Sequence, residues 1–455
     1  MQISELKREL GPWAAASIVV GTVIGSGIFL VPRTMMEKVG SVNLVFAVWI
    51  VGGFLSLAGA LSYAELAAAM PEAGGEYVFL REAYGPLLGF LYSWTQMWIA
   101  KSGSIATLAT GFFLYLANFF APLDQVFYII PLPIGPNGGP LEIRYGQFLA
   151  IALILSLAWL NYYGVKLGGN VQVVVTIVKV SLIGFIIIAG LIFGKTHAPA
   201  PSTLAPLSFS GFIAALVAAL WAYDGWNNVS MVSSEIKNPQ HNLPRALIGG
   251  TLCVIAIYLM ANMAYFHVMA AREVAASTRV AGDMMGRIFG AAGANGVSVA
   301  AMISIFAALN GSILTGSRVP YAAARDGLFF RSIAWVNPRY HTPGVCIWVM
   351  SLWAGLLVLS GKYDDLFNLV IFASWILYGM TAAAVVVLRF KRPDLPRPYR
   401  TVGYPLIPVL FVLGASTLLV RTAIDKPIES AKGIGLIVAG LPFYFYWKNR
   451  HEQKS

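Results

Sequence analysis

Charge is scarce in this chain. Asp, Glu, Lys and Arg make up 11% of its 455 residues, where soluble domains carry about 25%. That balance excludes an ordinary soluble domain. Cysteine is scarcer still: Cys253 and Cys346 stand alone, each within an apolar run. A disulfide framework is therefore not expected, and two buried thiols say nothing about redox compartment. Enzyme signatures are missing as well. The chain holds no G-x-x-x-x-G-K-[ST] loop for ATP phosphates and no H-E-x-x-H pair for zinc. Its five histidines, at 197, 241, 267, 341 and 451, are scattered singly. Neither a nucleotide-driven pump nor an intramembrane enzyme is expected, and no cofactor or metal.

What the chain has in abundance is apolar sequence. Hydrophobic residues make up 58% of it and the mean hydropathy is +0.72. Runs long enough to cross a bilayer, about 20 residues each, recur from end to end. About twelve are expected, at 13–36, 43–70, 87–119, 146–162, 170–194, 209–233, 245–270, 297–320, 345–360, 366–388, 404–421 and 433–447. Nothing outside them is long enough for a separate soluble domain, so residues 1–455 read as a single all-α polytopic membrane domain. The first run lacks an A-x-A-like cleavage site and is followed by more spans, so it reads as retained.

The net charge of +11 then reads as topology. With the N-terminus inside, 18 of the 31 Lys and Arg fall on the cytoplasmic side and 11 on the other, with Lys101 and Lys179 inside spans. That bias places both termini in the cytoplasm. Nucleic-acid binding would need the basic residues on one surface, and they are spread among loops.

Two of the spans are interrupted. "VVGTVIGSGIFLVP" (19–32) carries Gly21, Gly25 and Gly27, and "LWAYDGWNN" (220–228) places Asp224-Gly225 within an apolar run. Gly21 and Gly25 alone fit a G-x-x-x-G helix contact. Gly25-Ser26-Gly27 adds a second break, and the Asp224 carboxylate near mid-membrane is costly without water or a partner. Broken helices persist in lipid only where they are buried or line a cavity. Interruptions in corresponding positions of two halves point to the binding site of a secondary transporter. The halves are spans 1–5 (13–194) and 6–10 (209–388), with spans 11 and 12 (404–447) outside the repeat. A helix that stops mid-membrane leaves carbonyls at one end and amides at the other without partners. Amides of Ser26, Gly27 and Ile28 would hold a carboxylate. Carbonyls near Val23 and near Trp221, Ala222 and Asp224 would hold an ammonium. Together they suit an α-amino acid, an ion or another zwitterion.

On these residues the chain resembles the L-type amino acid transporters of the amino acid–polyamine–organocation superfamily, in particular its bacterial exchangers. The likeness runs through "GTVIGSGIF", "AELAAAMPEAGGEYVFLREAYG", "NYYGVKLGGNVQVVVTIVKV", "AYDGWNNVSMVSSEIKNPQHNLPRAL", "ALNGSILTGSRVPYAAARDG" and "PDLPRPYR", in the family's order. The resemblance implies a LeuT-like fold with a five-plus-five inverted repeat and broken helices 1 and 6. It implies alternating access in the plasma membrane, here the inner membrane of a bacterium, with sodium-independent and usually obligatory exchange of neutral amino acids. The family's carboxylate-binding positions match Gly25, Ser26 and Gly27, and its amine-binding carbonyls match Val23, Trp221, Ala222 and Asp224. The residue that closes over substrate matches Trp221, and an aromatic walling the side-chain pocket matches Trp375. For both tryptophans plain packing or an interfacial belt is the simpler alternative. A lysine matching Lys179 bridges span 5 to spans 1 and 8, where its charge stands in for a sodium ion.

Other residues carry weaker expectations. Lys101 in span 3 either lines the cavity or is structural, with the second preferred. Asn310, Ser312 and Ser317 read as interhelical glue, and Glu65, Glu235 and Arg245 as ordinary surface pairs before gating pairs. There are departures too. Animal members join a glycoprotein heavy chain through a cysteine between spans 3 and 4; the loop at about 120–145 has none, so no disulfide-linked partner is expected. Asp224 stands where several animal members have Gly or Ser, and its carboxylate is expected to cap the break, facing away from substrate. The alternatives are a proton-coupled symporter, an exchanger that also takes cationic amino acids, and a non-transporting membrane sensor.

Overall fold

Helices dominate, at 79% of the described residues, as the apolar runs require. The structure is a computed structural model, and it describes residues 5–132, 139–195, 208–360 and 363–452, with side chains of the last segment from 372 to 450. His197, the side chain of His451 and the start of the tenth expected span lie outside these.

Among the described residues, ten helices are long and apolar enough to cross a membrane. Two shorter apolar helices, Phe209–Ala222 and Gly344–Leu359, fall at the sixth and ninth expected positions. The first is short because its span is cut: 14 residues at 1.5 Å rise cover roughly two-thirds of a bilayer core about 30 Å thick.

Both expected breaks are present. Span 1 runs as Pro12–Val23 and Gly27–Val39, and Ile24 leaves the helical region with ψ 92°. Span 6 stops at Ala222 and resumes as Asn228–Met231 and the 3₁₀ turn Ser233–Glu235. Gly225 turns the chain between them with φ +107°, a conformation that side-chain-bearing residues adopt only under strain. The two spans lie antiparallel. Leu10, before span 1, exchanges backbone hydrogen bonds with Glu235 and Lys237, after span 6, at 2.9 and 2.8 Å. Gly27, opening the second half of span 1, meets Ala222 at the end of the first half of span 6.

The structure departs from the sequence reading in several places. A helix from Val280 precedes span 8, and Gly290, which is not helical (φ 64°, ψ −151°), divides it from the stretch that runs on to Gly316. Hydropathy missed that helix since it carries Asp283 and Arg287. Span 12 is two helices, Pro427–Val438 and Leu441–Glu452. Span 3, Pro86–Ala117, contains a π-helical turn, Gln96–Ala100, just before Lys101. A two-stranded antiparallel hairpin, β1 (Val126–Ile130) and β2 (Leu141–Arg144), joins spans 3 and 4. Cys253 is exposed, whereas Cys346 is buried, and both are free thiols. The expectation of two buried thiols is thus corrected for Cys253, on the outward face of Pro239–Val268.

Behind the span 6 break lies a buried aromatic core. Trp49 of span 2 meets Tyr258 at 5.1 Å and Tyr223 at 5.6 Å edge-on, and Tyr63 meets Trp226 at 4.7 Å. Large rings in edge-to-face contact give this region its packing and back the broken segment with rigid walls.

Candidate functional site

The two breaks touch through glycine. A Cβ on Gly27 would lie 2.8 Å from the Cβ and 2.9 Å from the Cα of Ala222, so only glycine lets the two helix ends meet. Gly25 differs. A Cβ there would find nothing nearer than 3.7 Å, so packing does not demand glycine and the backbone stands bare toward open space. Gly21 belongs to neither case: its missing side chain makes room for Gln172 and Thr176 of span 5. Close packing, the simple reading of that position, is what the structure places there.

Hydroxyls fasten the breaks to each other and to the scaffold. Thr22 Oγ1 shares its one hydrogen between the Gly225 carbonyl at 2.9 Å and the Ile18 carbonyl of its own helix at 2.7 Å. Tyr258 of span 7 donates its hydroxyl to the Ala222 carbonyl at 2.7 Å and lies 3.2 Å from that of Val23. It therefore bridges the last carbonyls of both first halves, each of which keeps a second lone pair. Neither Thr22 nor Tyr258 was singled out from the sequence; a hydroxyl in an apolar run was the available signal.

Lys179, fully buried in Val165–Phe193, aims its ammonium at the first break. Nζ donates to the carbonyls of Gly21 at 2.7 Å and Ile24 at 2.5 Å. Ser304 of span 8 donates to the Ile24 carbonyl at 2.9 Å, with that of Gly25 3.1 Å from the same hydroxyl. Span 5 thus reaches span 1 directly and span 8 through a shared carbonyl. A buried ammonium is costly without such partners, and here the partners are the carbonyls that the break set free.

Between the breaks lies a small, partly open cavity. Val23, Gly25, Ser26, Gly27, Trp221, Ala222 and Asp224 line it together, joined by Thr22, Gly225, Asn228 and Ser312. Span 3 adds Lys101, Ser104, Thr107 and Leu108. Ser26, Gly27 and Ile28 are the N-cap and first residues of the second half-helix, whose amides have no acceptor within the helix. The cavity therefore has donors along one edge and carbonyls along another.

Not every expected residue is on the wall. Ile28 is buried behind it, and its carbonyl lies 3.4 Å from the Tyr265 hydroxyl. Trp375 is placed elsewhere. It stacks on Phe411 of span 11 at 5.6 Å and lines a separate apolar pocket with Val217, Leu220, Phe372, Leu418 and Leu419. Lys101, for which a purely structural role was preferred, is on the cavity wall and donates to Asn228 Oδ1 at 2.6 Å. The Asp224 carboxylate also lies on that wall while accepting from the Tyr378 hydroxyl of span 10 at 3.0 Å. Of the span 8 candidates, Ser312 lines the cavity. Asn310 instead ties spans 4, 5 and 8, accepting from Asn161 at 2.9 Å and donating to Gln172 at 2.8 Å.

The far end of span 6 is held by buried acids. Glu76 accepts hydrogen bonds from Asn227 Nδ2 and, at 3.1 Å, from Ser230 Oγ; burial holds its carboxyl above the usual carboxylate range, against the lowering effect of the Asn227 bond. Glu235 pairs with Arg318 through two contacts, 2.7 and 2.8 Å, and both side chains are fully buried. Glu65 is nearly buried and pairs with Arg389 at 2.7 Å and Arg397 at 3.3 Å. The expectation of ordinary surface pairs is corrected for both glutamates: arginines from later spans fold over them. Arg245 alone of that set is exposed.

Comparison with known proteins fits this geometry. Residues 10–439 match the family described as amino acid permease. The chain is 35% identical to the serine/threonine exchanger SteT of Bacillus subtilis across 98% of each chain. It is 34% identical to the human b(0,+)-type amino acid transporter 1, covering 97% of this chain and 88% of that one. It is 32% identical to the human large neutral amino acids transporter small subunit 2, covering 98% and 82%.

Proposed function

The chain belongs to the amino acid permease family, and from that premise we propose that it exchanges neutral L-amino acids across the plasma membrane without sodium. The observation that carries this reading is the pair of helix ends facing one cavity. Amides of Ser26 and Gly27 take the α-carboxylate, with Gly25 leaving the backbone bare and Ile28 adding its amide from behind. Carbonyls of Val23, Trp221, Ala222 and Asp224 take the α-ammonium. Trp221, on the wall beside Gly27, closes over the substrate.

Lys179 supplies a fixed positive charge among the carbonyls of the first break, which supports independence from sodium. The polar lining from Ser104, Thr107 and Ser312 favours small side chains with a hydroxyl, in keeping with the name of the Bacillus subtilis relative. The antiparallel lie of spans 1 and 6 supports the inverted repeat and twelve crossings with both termini cytoplasmic. The inner membrane of a bacterium is the location this reading implies. The loop between spans 3 and 4 has no cysteine, so no heavy chain is joined there by a disulfide.

Purified chain in liposomes tests the proposal. Labelled serine should enter only liposomes loaded with amino acid, without sodium and regardless of a pH gradient. Uptake into empty liposomes driven by a pH gradient would overturn exchange in favour of proton symport. The Asp224 carboxylate on the cavity wall favours one second reading, in which cationic amino acids are also carried. Competition by arginine against labelled serine decides it: arginine without effect removes that reading.

A further inference from the structure

The hairpin between spans 3 and 4 leaves its first strand uncovered among the described residues. Every residue of β1 but the last is exposed, whereas β2 is half-buried with Leu141 buried, so the ribbon is open along its first strand, and a two-stranded ribbon in water is marginal at best. Its open surface is aromatic and aliphatic: Phe119, Phe120, Phe127, Tyr128 and Ile129 are between 38% and 61% exposed. Its charges are spent internally, with Arg144 bound to Asp124 at 2.6 Å and to Glu142 at 3.1 Å. The apolar surface is continuous with the outer surface of the spans. Phe127 packs edge-on against Tyr145 and Phe148, at 5.3 and 5.4 Å. These open span 4, whose outer residues meet lipid.

We propose that this hairpin is a membrane-interface anchor, lying with its aromatic side chains in the boundary between headgroups and acyl chains. Three crossings separate it from the N-terminus, so it rests on the leaflet opposite both termini. Aromatic rings concentrate at that depth because one end is apolar and the other wet. The unpaired strand edges set the limit of entry, since open sheet edges do not occur in the hydrocarbon itself. Arg144, neutralised by two carboxylates, carries less of the desolvation cost that would otherwise hold the ribbon in water. The anchor fixes the outer ends of spans 3 and 4, and span 3 carries four of the cavity-wall residues.

The test uses the full chain, one copy per lipid nanodisc, with Cys253→Ser to remove the exposed thiol and the buried Cys346 retained. A nitroxide is attached at Phe127→Cys, and its relaxation by oxygen is compared with that by a water-soluble nickel chelate. Interface anchoring gives stronger relaxation by oxygen than by nickel. Stronger relaxation by nickel means the hairpin stands in water and overturns the proposal. Protection from both reagents also overturns it, and protection only when several copies share a disc identifies a second chain as the cover. Should Phe127→Cys fail to fold, Ile129→Cys, half-exposed on the same strand, carries the same measurement.

Discussion

Thr22 and Gly225, 203 residues apart, are joined by a hydrogen bond of 2.9 Å from the threonine hydroxyl to the glycine carbonyl. It links the two interruptions directly. Lys179 then holds the carbonyls of Gly21 and Ile24, and Tyr258 those of Ala222 and Val23, so the breaks form one polar unit inside an apolar bundle. The tests below bear on how that unit works.

Replacing Lys179 by Ala should lower exchange in liposomes by roughly tenfold or more. The carbonyls of Gly21 and Ile24 lose their shared donor, at about 1–3 kcal/mol for each group left unpaired. A Lys179→Gln variant, which still donates, should fold better yet remain impaired, because the charge is gone. Full activity in both variants would remove the ammonium from the mechanism.

Gly25 and Gly27 should separate cleanly. Gly27→Ala forces its new methyl into Ala222 and should lower stability by about 1–3 kcal/mol, the usual cost of overpacking, with transport lost as the ends part. Gly25→Ala meets ordinary contacts only, so melting should be nearly unchanged while serine affinity falls. Equal loss of stability in the two would contradict this assignment.

Trp221 and Trp375 should differ as well. Trp221→Ala should raise KM for serine and slow exchange, since it stands at the cavity. Trp375→Ala removes a ring stacked on Phe411 and should cost about 3–5 kcal/mol in stability, leaving the order of preferred substrates unchanged. A changed order in a competition panel would return Trp375 to the site.

Glu235→Ala should be strongly destabilising, by about 3–5 kcal/mol, because it strands the fully buried guanidinium of Arg318. The double variant Glu235→Leu with Arg318→Met should melt closer to the parent chain. If single and double variants melt alike, the pair is not coupled.

The sequence showed where helices run and where two of them break, because hydropathy and glycine placement are local properties. It placed Val23, Gly25, Ser26, Gly27, Trp221, Ala222 and Asp224, and the structure brings these to one cavity. It misjudged what depends on the facing of a side chain or on distant partners. Arg318 lies within an apolar context that hid its match to Glu235, 83 residues earlier. Lys101 follows a π turn that rotates the helix and so alters which face looks inward. Trp375 sits in a span whose rotation no periodicity could fix, since the helix is apolar almost all round. The helix ahead of span 8 was lost for a different reason, its glycines and charges diluting an apolar signal that Gly290 also cuts from the span proper.

Leu10 and its hydrogen bonds to Glu235 and Lys237 have a practical side. Those two bonds stitch the chain ahead of span 1 to the exit of the second broken span, main chain to main chain, so among substitutions only proline, which lacks the N–H, removes one outright. A fluorescent tag fused ahead of residue 5 leaves the stitch whole. A deletion reaching residue 10 cuts it and removes the main-chain tie between the start of span 1 and the end of span 6.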